Sequence, residues 1–208
     1  INARMGVWVS GFFGSGKSHF IKILSYLLGN IEAHGGDNAE HRKAVQFFES
    51  KLTDAMLLGD IRRAVAGNTD VILFNIDSKA DSKTDRDAIL QVFLRVFNEM
   101  QGLSGDASHI AEMERYLINK GVFDKYRDAF KTKCGNAWED ERDGVSFMRD
   151  EVIHALGEAL GMSDESAAKW FDNAHDTYKI NIEGFAKLVR EYLDRKGPSH
   201  RLVFLVDE

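Results

Sequence analysis

The residues best suited to do chemistry form a glycine-rich run near the start of the chain, Gly11-Phe12-Phe13-Gly14-Ser15-Gly16-Lys17-Ser18. The run fits G-x-x-x-x-G-K-[ST], the pattern of a phosphate-binding loop. Glycines allow the sharp turns through which successive backbone N–H groups surround a phosphate. The lysine and the hydroxyl residue that follow suit the phosphate oxygens and a Mg²⁺ ion, respectively. The run therefore predicts a binding site for ATP with Mg²⁺.

Each residue of the run has an expected role. The residues expected to hold the nucleotide are Gly11, Phe12, Phe13, Gly14, Ser15, Gly16, Lys17, Ser18 and His19. Lys17 is also expected to act in catalysis at the β- and γ-phosphate oxygens, and Ser18 to ligate Mg²⁺. For Phe12 and Phe13, the alternatives are packing over the nucleotide, contact with a partner subunit, or covering the core beneath the loop. His19 either caps local packing or touches phosphate.

A second group of candidate residues ends the sequence. The continuous apolar run Leu202–Val206 is followed by Asp207 and Glu208. Such a run predicts a strand buried on both faces, as in a parallel sheet covered by helices. Asp207 is expected to hold Mg²⁺ directly or through water, and Glu208 to polarise an attacking water. The alternative is a strand end with two solvated acids. The pair favours ATP hydrolysis over transfer to a bound acceptor.

The neighbouring segments predict the elements that position these residues. Residues 5–10 predict a strand before the loop, with Trp8 in the core. Apolar residues at helical spacing follow Lys17 until Gly29-Asn30, which predicts a helix with a stop signal. Helical spacing resumes over about residues 40–66, where Gly59 could split it.

Residues 70–77 predict the next strand, and it also ends in polar residues. Asp77-Ser78-Lys79 either contacts the γ-phosphate region or a subunit boundary, or forms a solvated turn. In open parallel sheets, ligands gather at the carboxyl ends of the strands. All three predicted strands end in polar residues: Ser10, then Asn75 and Asp77, then Asp207 and Glu208.

The order of elements predicts an α/β fold class. We expect a P-loop NTPase parallel sheet flanked by helices, truncated after the Walker B strand (Leu202–Glu208), with a large helical insertion. Residues 1–83 and 197–208 would form the ATPase core, and residues 84–196 the insertion. Within the insertion, we expect Ser163 to cap a helix and Trp138 and Trp170 to pack between helices.

Composition limits the possible environments of this 208-residue chain. Its net charge of −6 argues against a general nucleic-acid surface, so DNA is expected as a partner only indirectly. The single cysteine, Cys134, excludes an intrachain disulfide and fits a reducing cytoplasm. The sequence contains no apolar stretch of membrane-spanning length and no signal peptide. Because it opens just before the first predicted strand and stops at Glu208, we expect a piece of a longer protein.

Beyond the general motif, parts of the chain resemble the large P-loop ATPase of bacteriophage-exclusion (BREX) systems, the BrxC/PglY type. The resemblance lies in residues 6–20, above all Phe12-Phe13 and Ser18-His19-Phe20, with the apolar helix positions after them. It extends to Leu73–Ala80 and Phe204–Glu208.

The resemblance implies an AAA+-like ATPase of bacterial antiviral defence, acting in the cytoplasm with other phage-exclusion system proteins as a homo-oligomer. Lys17 and Ser18 carry over as the Walker A pair, and Asp207 and Glu208 as Walker B.

Three functions remain open from the sequence. The first is an ATP-hydrolysing motor or switch, the second a nucleotide-gated scaffold with little turnover, and the third a P-loop kinase. The acidic pair and the helical insertion favour the first two. We expect residues 1–208 alone to bind Mg²⁺–nucleotide weakly or not at all, because further strands and a sensor residue are missing from them.

Overall fold

The computed structural model describes residues 6–33, 42–76 and 86–207. Over these residues the protein is a mixed α/β chain, mostly helical, with a small parallel two-stranded sheet. The helices in these ranges are α1 (Lys17–Gly29), α2 (Gln46–Glu49), α3 (Ala55–Val65), α4 (Arg86–Met100), α5 (Ser108–Asn119), α6 (Phe123–Cys134), α7 (Trp138–Glu141), α8 (Arg149–Leu160), α9 (Asp164–Thr177) and α10 (Ile182–Lys196). A 3₁₀ segment spans Arg142–Phe147, and the strands are β1 (Glu32–Ala33), β2 (Arg42–Lys43), β3 (Thr69–Asn75) and β4 (Arg201–Asp207).

The chain divides into two compact units. The sheet unit comprises Ile1–Asp81 and Ala186–Glu208, and the helical unit comprises Ser82–Phe185. None of the helices in the described ranges is both long enough and apolar enough to cross a membrane.

The larger of the two sheets in the described part of the sheet unit consists of β3 and β4, which pair in parallel, and the smaller is the antiparallel pair of β1 and β2. The register runs from Thr69 opposite Arg201 to Asn75 opposite Asp207. The two predicted strands and their parallel pairing are therefore confirmed, but the prediction that the last strand is buried on both faces is wrong, because no residue of β4 is fully buried. Because the strands are parallel, their carboxyl ends lie at the same edge of the sheet.

The helix predicted after the glycine-rich loop is confirmed as α1. It ends where the sequence indicates, because Asn30 adopts a left-handed conformation with φ 42°. The backbone N–H of Asn30 donates to the carbonyl of Leu27 at 3.0 Å, which closes the last turn. A Cβ placed on Gly29 would lie 3.7 Å from Cγ2 of Val71, so the end of α1 lies against β3.

The prediction of a strand before the loop is wrong for the described residues 6–10, which form no strand. Trp8 is 87% exposed and Val7 93% exposed, so Trp8 does not lie in the core. The physical reason is that a strand is stabilised by hydrogen bonds to a neighbouring strand. In the described sheet, β3 and β4 pair with each other and residues 6–10 pair with neither.

The predicted helical stretch over residues 40–66 is divided, but not at Gly59. Its described start, Arg42–Lys43, is β2 and pairs with β1, and the helical part breaks between α2 and α3. Asp54 causes the restart, because its side chain accepts hydrogen bonds from the backbone N–H groups of Met56 and Leu57 at 2.9 and 3.1 Å. Gly59 lies inside α3.

The helical unit has an aromatic core, as predicted for Trp138. Trp138 packs edge-on against Tyr126 and Phe130, with ring centroids 5.1 Å apart in each pair. All three side chains are fully buried. Trp170 is partly buried and contacts Tyr116. The predicted cap is also confirmed, since Ser163 Oγ accepts a hydrogen bond from the Ser166 backbone N–H at 3.3 Å.

A buried carboxylate joins separate parts of the helical unit. Glu114 of α5 has no solvent exposure. Its two oxygens accept hydrogen bonds from the Trp138 indole and from the Ser104 backbone N–H, each at 2.7 Å. The Arg142 guanidinium lies 3.2 Å away as a counter-charge. A buried charge is tolerated only when it is paired and hydrogen-bonded in this way.

Candidate functional site

The glycine-rich run forms a tight loop that leads directly into α1. Gly14 and Gly16 have φ values of 76° and 87°, in the left-handed region that favours glycine. A Cβ on Gly11 would lie 2.7 Å from Ser15 Oγ, so a larger residue there would require the Ser15 hydroxyl to rotate away. The Ser15 N–H donates to the Phe12 carbonyl at 3.1 Å and closes the turn. The positive φ values thus explain the preference for glycine at positions 14 and 16 within the loop itself.

The loop ends at the amino end of α1. Gly16 is the N-cap of this 13-residue helix, and among the described residues no side chain caps it. The first turn contains no acidic residue. Unpaired N–H groups and the helix dipole make such an end favourable for anions. The local structure of residues 11–18 is therefore suited to phosphate.

Lys17 folds back over the loop. Its Nζ donates to the carbonyl oxygens of Gly11 at 2.9 Å and of Phe12 at 3.1 Å. The ammonium is thus held beside the turn that the glycines form. A phosphate bound there would compete for it, and a charge-assisted contact to phosphate is stronger than one to a neutral carbonyl.

The structure brings Ser18 and Asp207 together, although 189 positions separate them in sequence. The Ser18 hydroxyl donates to Asp207 Oδ1 at 2.9 Å. α1 begins beside the carboxyl end of β4, so the residue after Lys17 meets the residue that closes the strand. This contact joins the two motifs that the sequence showed separately.

The oxygens of Ser18 and Asp207 fit a Mg²⁺ ion. Mg²⁺ prefers oxygen ligands, keeps several waters and is usually held by one or two protein groups together with phosphates. Within the described residues, no group of three or more His, Cys, Asp or Glu side chains could hold a metal ion. Ser18 and Asp207 would together supply two oxygens, which is part of the metal's shell.

The aromatic residues of the loop point into solvent. Phe12 is 92% exposed and Phe13 fully exposed, so the interpretation that they cover the core beneath the loop is wrong. Contact with nucleotide or with a partner remains open for them. His19 is exposed on the first turn of α1.

Two of the sequence's candidate groups lie outside the described residues. These are Glu208, the predicted general base, and Asp77-Ser78-Lys79, the predicted contact near the γ-phosphate. The site that the structure describes consists of residues 11–18 with Asp207.

A polar cluster at the opposite edge of the sheet fixes the start of β4. Asp70 of β3 accepts hydrogen bonds from the Tyr192 hydroxyl and from the His200 ring N–H, the latter at 2.6 Å. Lys196 Nζ lies 3.9 Å from the same carboxylate oxygen. No local sequence pattern indicates this cluster, because its members are far apart along the chain.

The cluster shifts the titration of its members. Burial alone would raise the pKa of Asp70, but hydrogen bonds from Tyr192 and His200 and the positive charges of His200 and Lys196 outweigh it, so this pKa is lowered. Burial and the hydrogen bond to Asp70 raise the pKa of Tyr192 well above its usual value. The cluster therefore favours an ionised Asp70 and a neutral Tyr192, and it anchors the strand that carries Asp207.

No known protein-family model matches the chain, and no solved structure matches it. The functional interpretation therefore depends on the geometry of residues 11–18 and on the contact between Ser18 and Asp207.

Proposed function

We propose that this protein is a P-loop ATPase module that binds ATP with Mg²⁺ through residues 11–18 and Asp207. The observation that carries the proposal is the 2.9 Å hydrogen bond between Ser18 Oγ and Asp207 Oδ1. It joins a phosphate-binding loop to an acidic strand end, and each of these motifs has its own chemical reason to be there.

Different residues have different roles toward the phosphates, the Mg²⁺ ion and the attacking water. The loop backbone and the amino end of α1 surround the phosphates, and Lys17 exchanges its contacts with Gly11 and Phe12 for phosphate oxygens. Ser18 and Asp207 would hold Mg²⁺, which would supply positive charge beside the phosphate oxygens when bound. Glu208 follows Asp207 directly and takes a proton from the attacking water.

The biological part of the proposal follows the resemblance to BREX ATPases. ATP binding and hydrolysis would drive assembly or conformational switching of a larger, oligomeric ATPase of bacterial antiviral defence. Other phage-exclusion system proteins would be its partners in the cytoplasm. The support is the loop sequence Phe12-Phe13 with Ser18-His19-Phe20 and the segments Leu73–Ala80 and Phe204–Glu208.

A binding experiment tests the first step. ATP, ADP and adenosine are titrated into the full-length protein with Mg²⁺ by calorimetry. We expect ATP and ADP to bind and adenosine to bind far more weakly, because the contacts described above are all to phosphates and metal. Equal affinity for adenosine and ATP, or binding of neither, would overturn the proposal.

A second experiment distinguishes the kinds of chemistry. ATP carrying a labelled γ-phosphate is incubated with the full-length protein, with and without DNA and the candidate partner proteins. Free labelled phosphate supports the ATPase. Label on another molecule indicates a kinase instead, and tight binding without either product indicates a nucleotide-gated scaffold.

A further inference from the structure

Asn75 closes β3 directly beside the proposed metal ligand on β4. The parallel register pairs Asn75 with Asp207. Residues paired across neighbouring strands direct their side chains to the same face of a sheet, and the strands lie about 4.8 Å apart. The side chains of Asn75 and Asp207 are therefore neighbours on one face at the carboxyl edge.

Two independent contacts show that both ends of α1 lie on this face of the sheet. At the start of α1, Ser18 donates its hydrogen bond to Asp207. At the end of α1, a Cβ on Gly29 would lie 3.7 Å from Cγ2 of Val71. Val71 and Asn75 share a face because side chains alternate along a strand. Both ends of the helix thus place Asn75 on the side of the phosphate-binding loop.

The burial of β3 supports a role for Asn75 outside the core. Ile72 and Phe74, which alternate with it, are 7% and 5% exposed and fill the opposite face. Asn75 is exposed. Asparagine is also unfavourable in strands, so propensity does not explain its position.

We infer that Asn75 is a positioning residue of the Mg²⁺ site, with its carboxamide oxygen accepting a hydrogen bond from a water in the metal's shell. The inference rests on the proposed ATP binding. Mg²⁺ keeps several waters, and each water has two O–H donors that need acceptors. Asp207 is one acceptor at this edge, and Asn75 is the polar side chain next to it in the register. A neutral amide adds this acceptor without adding charge beside the phosphates.

Three variants of the full-length protein test the inference through ATP affinity, measured with Mg²⁺ and again with EDTA. Asn75→Leu keeps the approximate size and removes the acceptor, so affinity with Mg²⁺ should fall about five- to tenfold, the scale of one hydrogen bond. Its affinity in EDTA should equal that of the wild type, which also shows that the fold is intact.

The other two variants serve as matched controls. Asn75→Asp keeps an acceptor oxygen but adds a charge, so it should weaken binding in EDTA and recover it with Mg²⁺. Leu73→Ala changes the same strand and face two residues earlier. It should leave the gain in affinity from Mg²⁺ unchanged.

The outcomes separate this inference from the proposed function. If the wild type binds no ATP, or binds it equally with Mg²⁺ and EDTA, the metal site is wrong and the inference is overturned with it. If the wild type gains affinity from Mg²⁺ and Asn75→Leu gains as much, only the inference fails. Equal weakening of Asn75→Leu in both buffers would also overturn it, because the contact would then not involve the metal shell.

Discussion

The helical unit and the loop region of the sheet unit use the same kinds of residue in opposite ways. In the helical unit, Trp138, Tyr126 and Phe130 are fully buried against one another. Around the loop, Trp8 is 87% and Phe12 92% exposed. Buried aromatic area stabilises a fold, whereas exposed apolar groups mark surfaces that can bind. Stability and binding should therefore respond to different substitutions.

The polar groups of the two regions also differ in their exposure to solvent. The Glu114 carboxylate accepts from Trp138 and Ser104 inside the helical unit, where water does not reach it. Lys17 and Ser18 make their hydrogen bonds at the surface. A buried network is fixed by the high cost of leaving a partner unsatisfied. Surface partners can be exchanged for a ligand, as the proposed ATP binding requires.

The largest expected effect is on the rate of ATP hydrolysis and comes from substituting Glu208 of the proposed site. Glu208→Gln keeps the size of the side chain but cannot accept a proton, so ATP hydrolysis should fall about 10²–10⁴-fold while ATP binding persists. Phosphate release and ATP affinity of the full-length protein measure the two effects. Asp207→Asn is the contrast, since it disturbs the metal shell and should weaken Mg²⁺–ATP binding too. Near-normal turnover in Glu208→Gln would place the base elsewhere.

The next effect concerns stability and lies in the helical unit. Phe130→Ala should lower the free energy of unfolding by about 3–5 kcal/mol, because it leaves a cavity among buried rings. Urea unfolding measures the change. Phe147→Ala is the control, since Phe147 is 91% exposed, and it should change stability by less than about 0.5 kcal/mol. Similar losses in both variants would break the comparison between buried and exposed aromatic residues.

Lys17→Ala should weaken ATP binding by about 2–3 kcal/mol, the scale of a lost contact between charged groups. The free energy of unfolding should change little, because the ammonium's hydrogen bonds to the described residues are to loop carbonyls at the surface. Lys22→Ala, an exposed lysine on the same helix, is the control and should bind ATP normally. Calorimetric titration of both variants with ATP measures the effect. Unchanged ATP affinity in Lys17→Ala would contradict the assignment of residues 11–18 as a phosphate-binding loop.

The smallest effect is expected at the Asp70 cluster. Because its folded-state pKa is lowered, Asp70 contributes stability above its unfolded pKa of about 3.8, and this stability is lost as pH falls through the folded-state pKa. Tyr192→Phe removes a hydrogen-bond donor to Asp70 and should cost about 1 kcal/mol at neutral pH. Urea unfolding from pH 7 down to pH 3 should show the difference from wild type shrinking in acid. A difference independent of pH would contradict the role of the carboxylate.

Local features of this protein were predictable from neighbouring residues. The turns at Gly14 and Gly16, the end of α1 at Asn30 and the cap at Ser163 depend on contacts within a few positions. The positions of the strands β3 and β4 were also predictable, because continuous apolar runs favour strands of a parallel sheet, although the burial of β4 was not. The chemistry expected of Lys17 and Ser18 follows from the same local spacing.

The features that failed or were missed depend on distant partners. Residues 6–10 have a strand-like sequence, but a strand needs a neighbour, and β3 and β4 pair with each other. The residues near Asp70 in sequence do not predict its contacts with Tyr192 and His200.

The sequence by itself determined the phosphate-loop pattern, its helix and the acidic strand end, since each is a short-range property of the chain. Only the tertiary structure decided that Ser18 meets Asp207 and that Asn75 stands beside them. The reason is that the register of a parallel pair and the face covered by a helix are set by packing between segments far apart in sequence. A shift of one residue in that register would turn Asn75 to the opposite face.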